Sequence, residues 1–289
     1  MIKCILYISL SLLLLLSTCG CVAPQTDSFK SQPNTEAEAL DGYYIIPTDY
    51  MTFYFSINDF DANEISKIKD EAVRIMREIR DYLNVSYNTF PTSDSVCYFD
   101  SSYVGQDGLS RSYCFPDENV MYCITPYDFI HEYVHMVMGN ITQLVYHPSD
   151  ILREGFAQYI SLNFFNNIST TTYGFFKAPP VPENSNAAEH TQICKLIEDN
   201  YLEYNAKNYL KAFVFLYSQN YDISTLNTSG DFYNYYVGYV FTDYCINELG
   251  GLNRFISAYC DSVMIKDTYG KTLSEIINDA CDDNEKTFK

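Results

Sequence analysis

Residues 130–136 read Ile130-His131-Glu132-Tyr133-Val134-His135-Met136, and the fold follows from how this stretch has to be displayed. On a helix of 3.6 residues per turn, His131 and His135 lie one turn apart on one face, and Glu132 stands about 100° round from the first imidazole. All three side chains then look into one cleft. Zinc takes two imidazole nitrogens at roughly 2.0–2.1 Å, and a neighbouring carboxylate left off the ion can serve as a base. With four His and fifteen Glu in 289 residues, chance supplies this spacing in roughly 3 of 1,000 such chains.

A catalytic zinc needs a third protein ligand and one open position. The pattern H-E-x-x-H-x-x-G-x-x-H is absent, because Met138 and Ile141 stand where its Gly and last His belong. The better candidate is Glu154 in Leu152-Arg153-Glu154-Gly155-Phe156-Ala157-Gln158-Tyr159. A turn from Gly139 to Pro148 lets the helix over 127–139 run antiparallel to one over 149–164. Gly155 and Ala157 are expected to let these two helices approach closely enough to set the carboxylate on the metal. Gly inside a helix costs about 0.5–1 kcal/mol relative to Ala, which points to a steric need. His147, beside Pro148 in the connection, is the competing third ligand.

Working outward, the predicted class is α+β: a small N-terminal mixed sheet with one helix, then a mainly α-helical lobe. Met51 to Ile57 reads as a strand, and Asn63 to Leu83 carries apolar residues at helical spacing. Ser95 to Phe99, Ser110 to Phe115 and Asn119 to Thr125 are further β-type runs, the last two joined as a hairpin through Pro116-Asp117-Glu118. Beyond Pro126 helices are expected over 127–139, 149–164, 187–203, 206–219, 232–249, 252–262 and 272–281. Asn166 to Asn186 reads as an irregular loop. Residues 42–126 form the N-terminal lobe and 127–289 the helical lobe, together one catalytic domain.

The first 21 residues carry one positive charge, Lys3, an apolar run from Ile5 to Leu16, and then Ser17-Thr18-Cys19-Gly20-Cys21. Twelve helical residues cover roughly 18 Å, well short of the roughly 30 Å hydrocarbon core, so a cleaved leader fits and a spanning helix does not. Val22 to about Asp41 is polar and without period, and reads as a tether. The seven later Cys, at 97, 114, 123, 194, 245, 260 and 281, have an odd count and irregular spacing, so no disulfide pairing is assigned. The formal charge of −19 repels phosphate backbones and excludes nucleic acid as a partner.

These residues resemble a known family. H-E-x-x-H followed after eighteen residues by Glu is the gluzincin pattern, and His131 to Tyr159 is similar to the M1 aminopeptidase segments HExxHxxxGN and NEGFAxY. The chain has Gly139-Asn140 and Glu154-Gly155-Phe156-Ala157 with Tyr159, while Arg153 replaces the usual Asn. The resemblance implies a zincin-like arrangement, with one Zn2+ held between the lobes by His131, His135 and Glu154. Tyr235-Tyr236-Val237-Gly238 is similar to the family's Y-x-x-G helix, which implies an oxyanion-stabilising role for Tyr235, with Tyr236 and Tyr239 as alternatives. The GxMEN segment that binds the substrate amine in M1 aminopeptidases is missing from Gly105 to Pro126, so endo- and exopeptidase specificity both stay open. The leader resembles that of bacterial lipoproteins, which implies export and a lipid on Cys19 or Cys21 that holds the protein to the outer face of a membrane.

The expected activity is zinc-dependent hydrolysis of a peptide or protein substrate with Glu132 as general base. The rival is a lipid-anchored binding or adhesion protein with a non-catalytic gluzincin-like fold, against which the intact Glu132 argues. A zinc hydrolase acting on a non-peptide amide is a third reading.

Overall fold

Phe53 and Phe55 alternate with Thr52 and Tyr54 and are both fully buried, so the segment packs one face and turns the other outward. It is the third of six strands: β1 (Glu38–Leu40), β2 (Tyr43–Pro47), β3 (Thr52–Ser56), β4 (Val96–Phe99), β5 (Tyr113–Phe115) and β6 (Val120–Cys123). The computed structural model describes residues 38–85, 95–105, 108–141, 149–164, 187–220, 232–259 and 262–289. The sheet order is β1-β2-β3-β4-β6-β5. Neighbours β1, β2 and β3 are antiparallel, β3 to β4 and β4 to β6 are parallel, and β5 returns antiparallel on β6 as the expected hairpin.

A parallel β3–β4 pair needs a crossover, and helix α1 (Ala62–Leu83) supplies it. Its start is fixed by a capping box: the Asp61 carboxylate accepts from the Asn63 and Glu64 amides, and Glu64 accepts from the Asp61 amide at 3.1 Å. Its end is fixed by Asn84, whose left-handed φ of 54° turns the chain away. Ile65, Ile68, Ala72, Ile75, Met76, Ile79 and Leu83 form the buried stripe.

On the covered face of the sheet Phe53, Phe55, Cys97, Phe99, Met121 and Cys123 are at most 1% exposed. Phe129 meets them with ring centroids 6.1 Å from Phe53 and 5.8 Å from Phe99. It opens α2 (Phe129–Ile141), the helix of the His pair, which starts after a 3-10 turn at Pro126–Asp128. The opposite face carries Tyr54, Tyr98 and Tyr122, stacked across the strands at 4.6 and 5.0 Å.

The remaining chain is helical: α3 (Asp150–Asn163), α4 (Ala187–Asp199), α5 (Ala206–Asn220), a π-helical segment (Phe232–Val237) leading into α6 (Gly238–Glu248), α7 (Leu252–Ala258), α8 (Ser262–Tyr269) and α9 (Leu273–Lys286). One apolar core runs from the sheet through α1, α2, α3, α6, α7 and α9, and Ala37–Lys289 form a single unit. The α+β class is therefore as expected, but the expected boundaries need correction. The tether expected over 22–41 is corrected at its end, where residues 38–40 form β1. β2 and α8 were not anticipated, and the helix expected over 252–262 divides into α7 and the start of α8. The expectations for the leader, for Cys19 and Cys21, for His147, and for the 166–186 loop lie outside the described residues. Among the described residues no helix is long and apolar enough to cross a membrane.

Candidate metal centre

α2 and α3 bring three side chains to one point. His131 Nε2 lies 3.1 Å from Glu154 Oε2, His135 Nε2 lies 3.0 Å from the same oxygen, and the two imidazole nitrogens are 3.0 Å apart. Three donors about 3 Å apart lie on a circle of about 1.8 Å radius, so an ion at zinc's roughly 2.0–2.1 Å fits about 1 Å above their plane. His131 and Glu154 are each 9% exposed, so solvent reaches the edge of the cluster. Two nitrogens and a carboxylate oxygen at this spacing could hold a divalent metal ion.

The electrostatics of the three groups agree with that fit. Burial opposes a charged His131, but its bond to Glu154 and the charge of Glu132 outweigh this and raise its pKa. Burial keeps the His135 pKa below the ordinary imidazole value in spite of Glu154. For Glu154, burial pushes upward and the two imidazoles overcome it, holding the carboxyl well below the usual carboxylate range. The site thus keeps an anion facing two imidazoles, an arrangement in which a metal cation could take the place of a proton.

The other oxygen of Glu154, Oε1, is held by Arg153, with Nε at 3.2 Å and Nη2 at 3.1 Å, and the same guanidinium reaches Asp150 at 3.1 Å. Arg153 thus places a cation against the second oxygen of Glu154. Arg153 had no assigned role in the sequence, where an Arg next to a Glu along a helix looks like ordinary surface charge.

Glu132 stands off the triangle and is 7% exposed. Burial pushes its carboxyl up to about 8; the Glu154 and Asp128 charges push the same way, and His131 and Arg153 oppose them. Across from it, β5 brings in Cys114, whose thiol is raised by burial and by the Glu132 charge. Also on α2, Tyr133 is fully buried and its hydroxyl accepts a 2.7 Å bond from Nε of Arg80, itself fully buried on α1. That bond ties α2 to α1 from inside the core.

The three candidate tyrosines separate clearly. The Tyr235 ring stacks on His131 with centroids 5.4 Å apart. Tyr236 instead packs edge-on against Phe213, and Tyr239 is fully buried beside Tyr159. Tyr235 is the one of the three beside the triangle.

What puts it there is a glycine pair. A Cβ on Gly155 would fall 2.4 Å from the backbone of Gly238, and one on Gly238 would fall 2.7 Å from the Ile151 carbonyl oxygen and 2.8 Å from Gly155 Cα. The small residue of α3 therefore serves the crossing with α6, which corrects the expectation that it serves the approach to α2. The π-helical turn that leads into Gly238 then carries Tyr235 across to His131. Gly238→Ala is expected to cost about 1–3 kcal/mol in chemical denaturation, because the obstacle is backbone that cannot step aside.

Comparison with family models, with curated proteins and with solved structures returns no match for the chain.

Proposed function

We propose that the protein is a zinc metallopeptidase of gluzincin type with a zincin-like fold, in which His131, His135 and Glu154 hold the ion and Glu132 is the general base. The observation that carries this reading is the triangle of Nε2, Nε2 and Oε2 at 3.0–3.1 Å with a buried, unligated carboxylate next to it. A bound zinc would supply a Lewis acid that makes water nucleophilic near neutral pH. Glu132 takes the proton from the attacking water and returns it to the departing amine, which requires a carboxylate that is not itself a ligand. The Tyr235 hydroxyl donates to the oxygen that gains charge. Arg153 fixes the orientation of Glu154 by holding its second oxygen.

The substrate in this reading is an extended peptide. β5 ends the sheet next to β6 and α2, so its outer edge offers main-chain groups for pairing along the cleft. We further propose export and attachment to the outer face of a bacterial membrane through a lipid on Cys19 or Cys21, on the strength of the leader-like residues 1–21.

The direct test is metal analysis of the purified protein beside digestion of a mixed peptide library, with and without a chelator. One zinc per chain and chelator-sensitive cleavage are expected, and the cut sites report endo- or exopeptidase action. A metal-free protein that stays inert when zinc is added back overturns the reading.

A further inference from the structure

A second cluster of reactive side chains lies away from the metal residues, on α4 and α5. His190 and Cys194 are one helical turn apart on α4, with Cys194 Sγ 3.6 Å from His190 Nε2. The other ring nitrogen, Nδ1, is 3.2 Å from the hydroxyl of Tyr209, which is 4% exposed on α5. With Nδ1–H donated to Tyr209, the Nε2 lone pair faces the thiol. On its far side the sulfur is 3.9 Å from the hydroxyl of Tyr204. Burial and the bond to Cys194 raise that phenol to about 12, so it stays protonated and can turn to donate to a thiolate.

The other described thiols lack this combination. Cys97, Cys123 and Cys245 are at most 1% exposed, and burial raises the thiols of Cys114 and Cys281. Cys194 is only half-buried and borders an open cavity of about 660 Å³ with Thr191, Lys195, Glu198, Asp199 and Tyr201. Those walls offer one ammonium and two carboxylates within about a turn and a half of Cys194 along α4. A ligand carrying both a carboxylate and an ammonium matches them.

We propose that Cys194 is a covalent modification site for small zwitterionic disulfides of the amino-acid type, with His190 as the base that activates its thiol. The thiol proton passes to His190 Nε2, and the thiolate attacks one sulfur of the incoming disulfide. The disulfide bond breaks as the new S–S bond forms, and the departing thiolate takes the proton back from His190. The Cys194 sulfur is oxidised and the leaving sulfur reduced, so the disulfide itself is the oxidant. Lys195 receives the ligand's carboxylate, and Glu198 and Asp199 its ammonium.

The test incubates the zinc-loaded protein with cystine at pH 7 and maps the adduct by peptide mass spectrometry, with hydroxyethyl disulfide as the uncharged comparator. One added cysteine at Cys194 is expected, ahead of Cys114 and Cys281. His190→Gln should slow the reaction about tenfold with either reagent, because it removes the base that takes the thiol proton. Lys195→Gln, a surface change that leaves the core intact, should slow cystine several-fold and leave hydroxyethyl disulfide unaffected. Equal labelling of Cys114 and Cys194, or an unchanged rate in His190→Gln, overturns the activated thiol. An equal effect of Lys195→Gln on both reagents overturns the zwitterion site.

Discussion

Glu132→Gln is expected to bind zinc with the parent's stoichiometry and to hydrolyse peptides at least about 100-fold more slowly, within the 10²–10⁴ span typical of a lost general base. The amide fills the same volume and leaves the His131, His135 and Glu154 triangle in place, so folding and metal content should not move. What disappears is the ability to hold a proton and hand it on. In the ion-free protein burial lifts this carboxyl to about 8, and a divalent cation nearby pulls it back toward neutrality. A base poised there can both accept from water and donate to an amine near pH 7. The measurement pairs single-turnover cleavage with metal analysis on one preparation. Cleavage at the parent's rate by a zinc-loaded Gln variant removes Glu132 from the mechanism.

The candidate metal-holding triad was legible in the sequence because its geometry is local. His131 and His135 need only one helical turn, and Glu154 only a second helix returning alongside the first. Tyr235 was less so, since its place depends on a contact between positions 83 residues apart, Gly155 and Gly238. Within a window of sequence each glycine looks like a helix-weakening residue; only the crossing shows why neither can carry a side chain. The π-helical turn before Gly238 was hidden for the same reason, as its hydrogen-bond register answers to that crossing rather than to the residues FYNYYV.

The strands divide in the same way. β3, with Phe inward and Tyr outward, has the alternation that marks a half-buried strand. β2, YYIIP, is half-buried along most of its length and shows no alternation, so only its pairing to β3 makes it a strand. β1 is three residues long and joined to β2 by Asp41-Gly42, both at positive φ, a turn too short to stand out from the polar stretch before it. Arg80 is the opposite case. It continues the buried stripe of α1 although its type predicts the surface, and its Nε donates to the Tyr133 hydroxyl inside the core.

Glu154→Gln should weaken zinc binding by at least about 100-fold, beyond the 10- to 100-fold usual when only an outer-shell partner is lost. The amide oxygen is uncharged, and Arg153, left facing it, repels the ion it formerly helped to seat. Thermal stability gives an independent readout. An ion that binds only the native state adds about 2.7 kcal/mol at a hundred times its dissociation constant, so a 100-fold loss of affinity nearly erases the zinc-dependent rise in Tm. The substitution also acts without zinc. The folded-state pKa of Glu154 lies below its unfolded value, so the carboxylate contributes stability above the unfolded pKa and loses it as pH falls through the folded one. At pH 7 that contribution is fully present, and Gln removes it from the ion-free protein as well. The decisive quantity is therefore the increment in Tm between chelated and zinc-saturated samples: large in the parent, close to zero in Glu154→Gln, and intact in Glu132→Gln. A full zinc increment in Glu154→Gln means that position 154 is not a ligand and that the third donor is elsewhere.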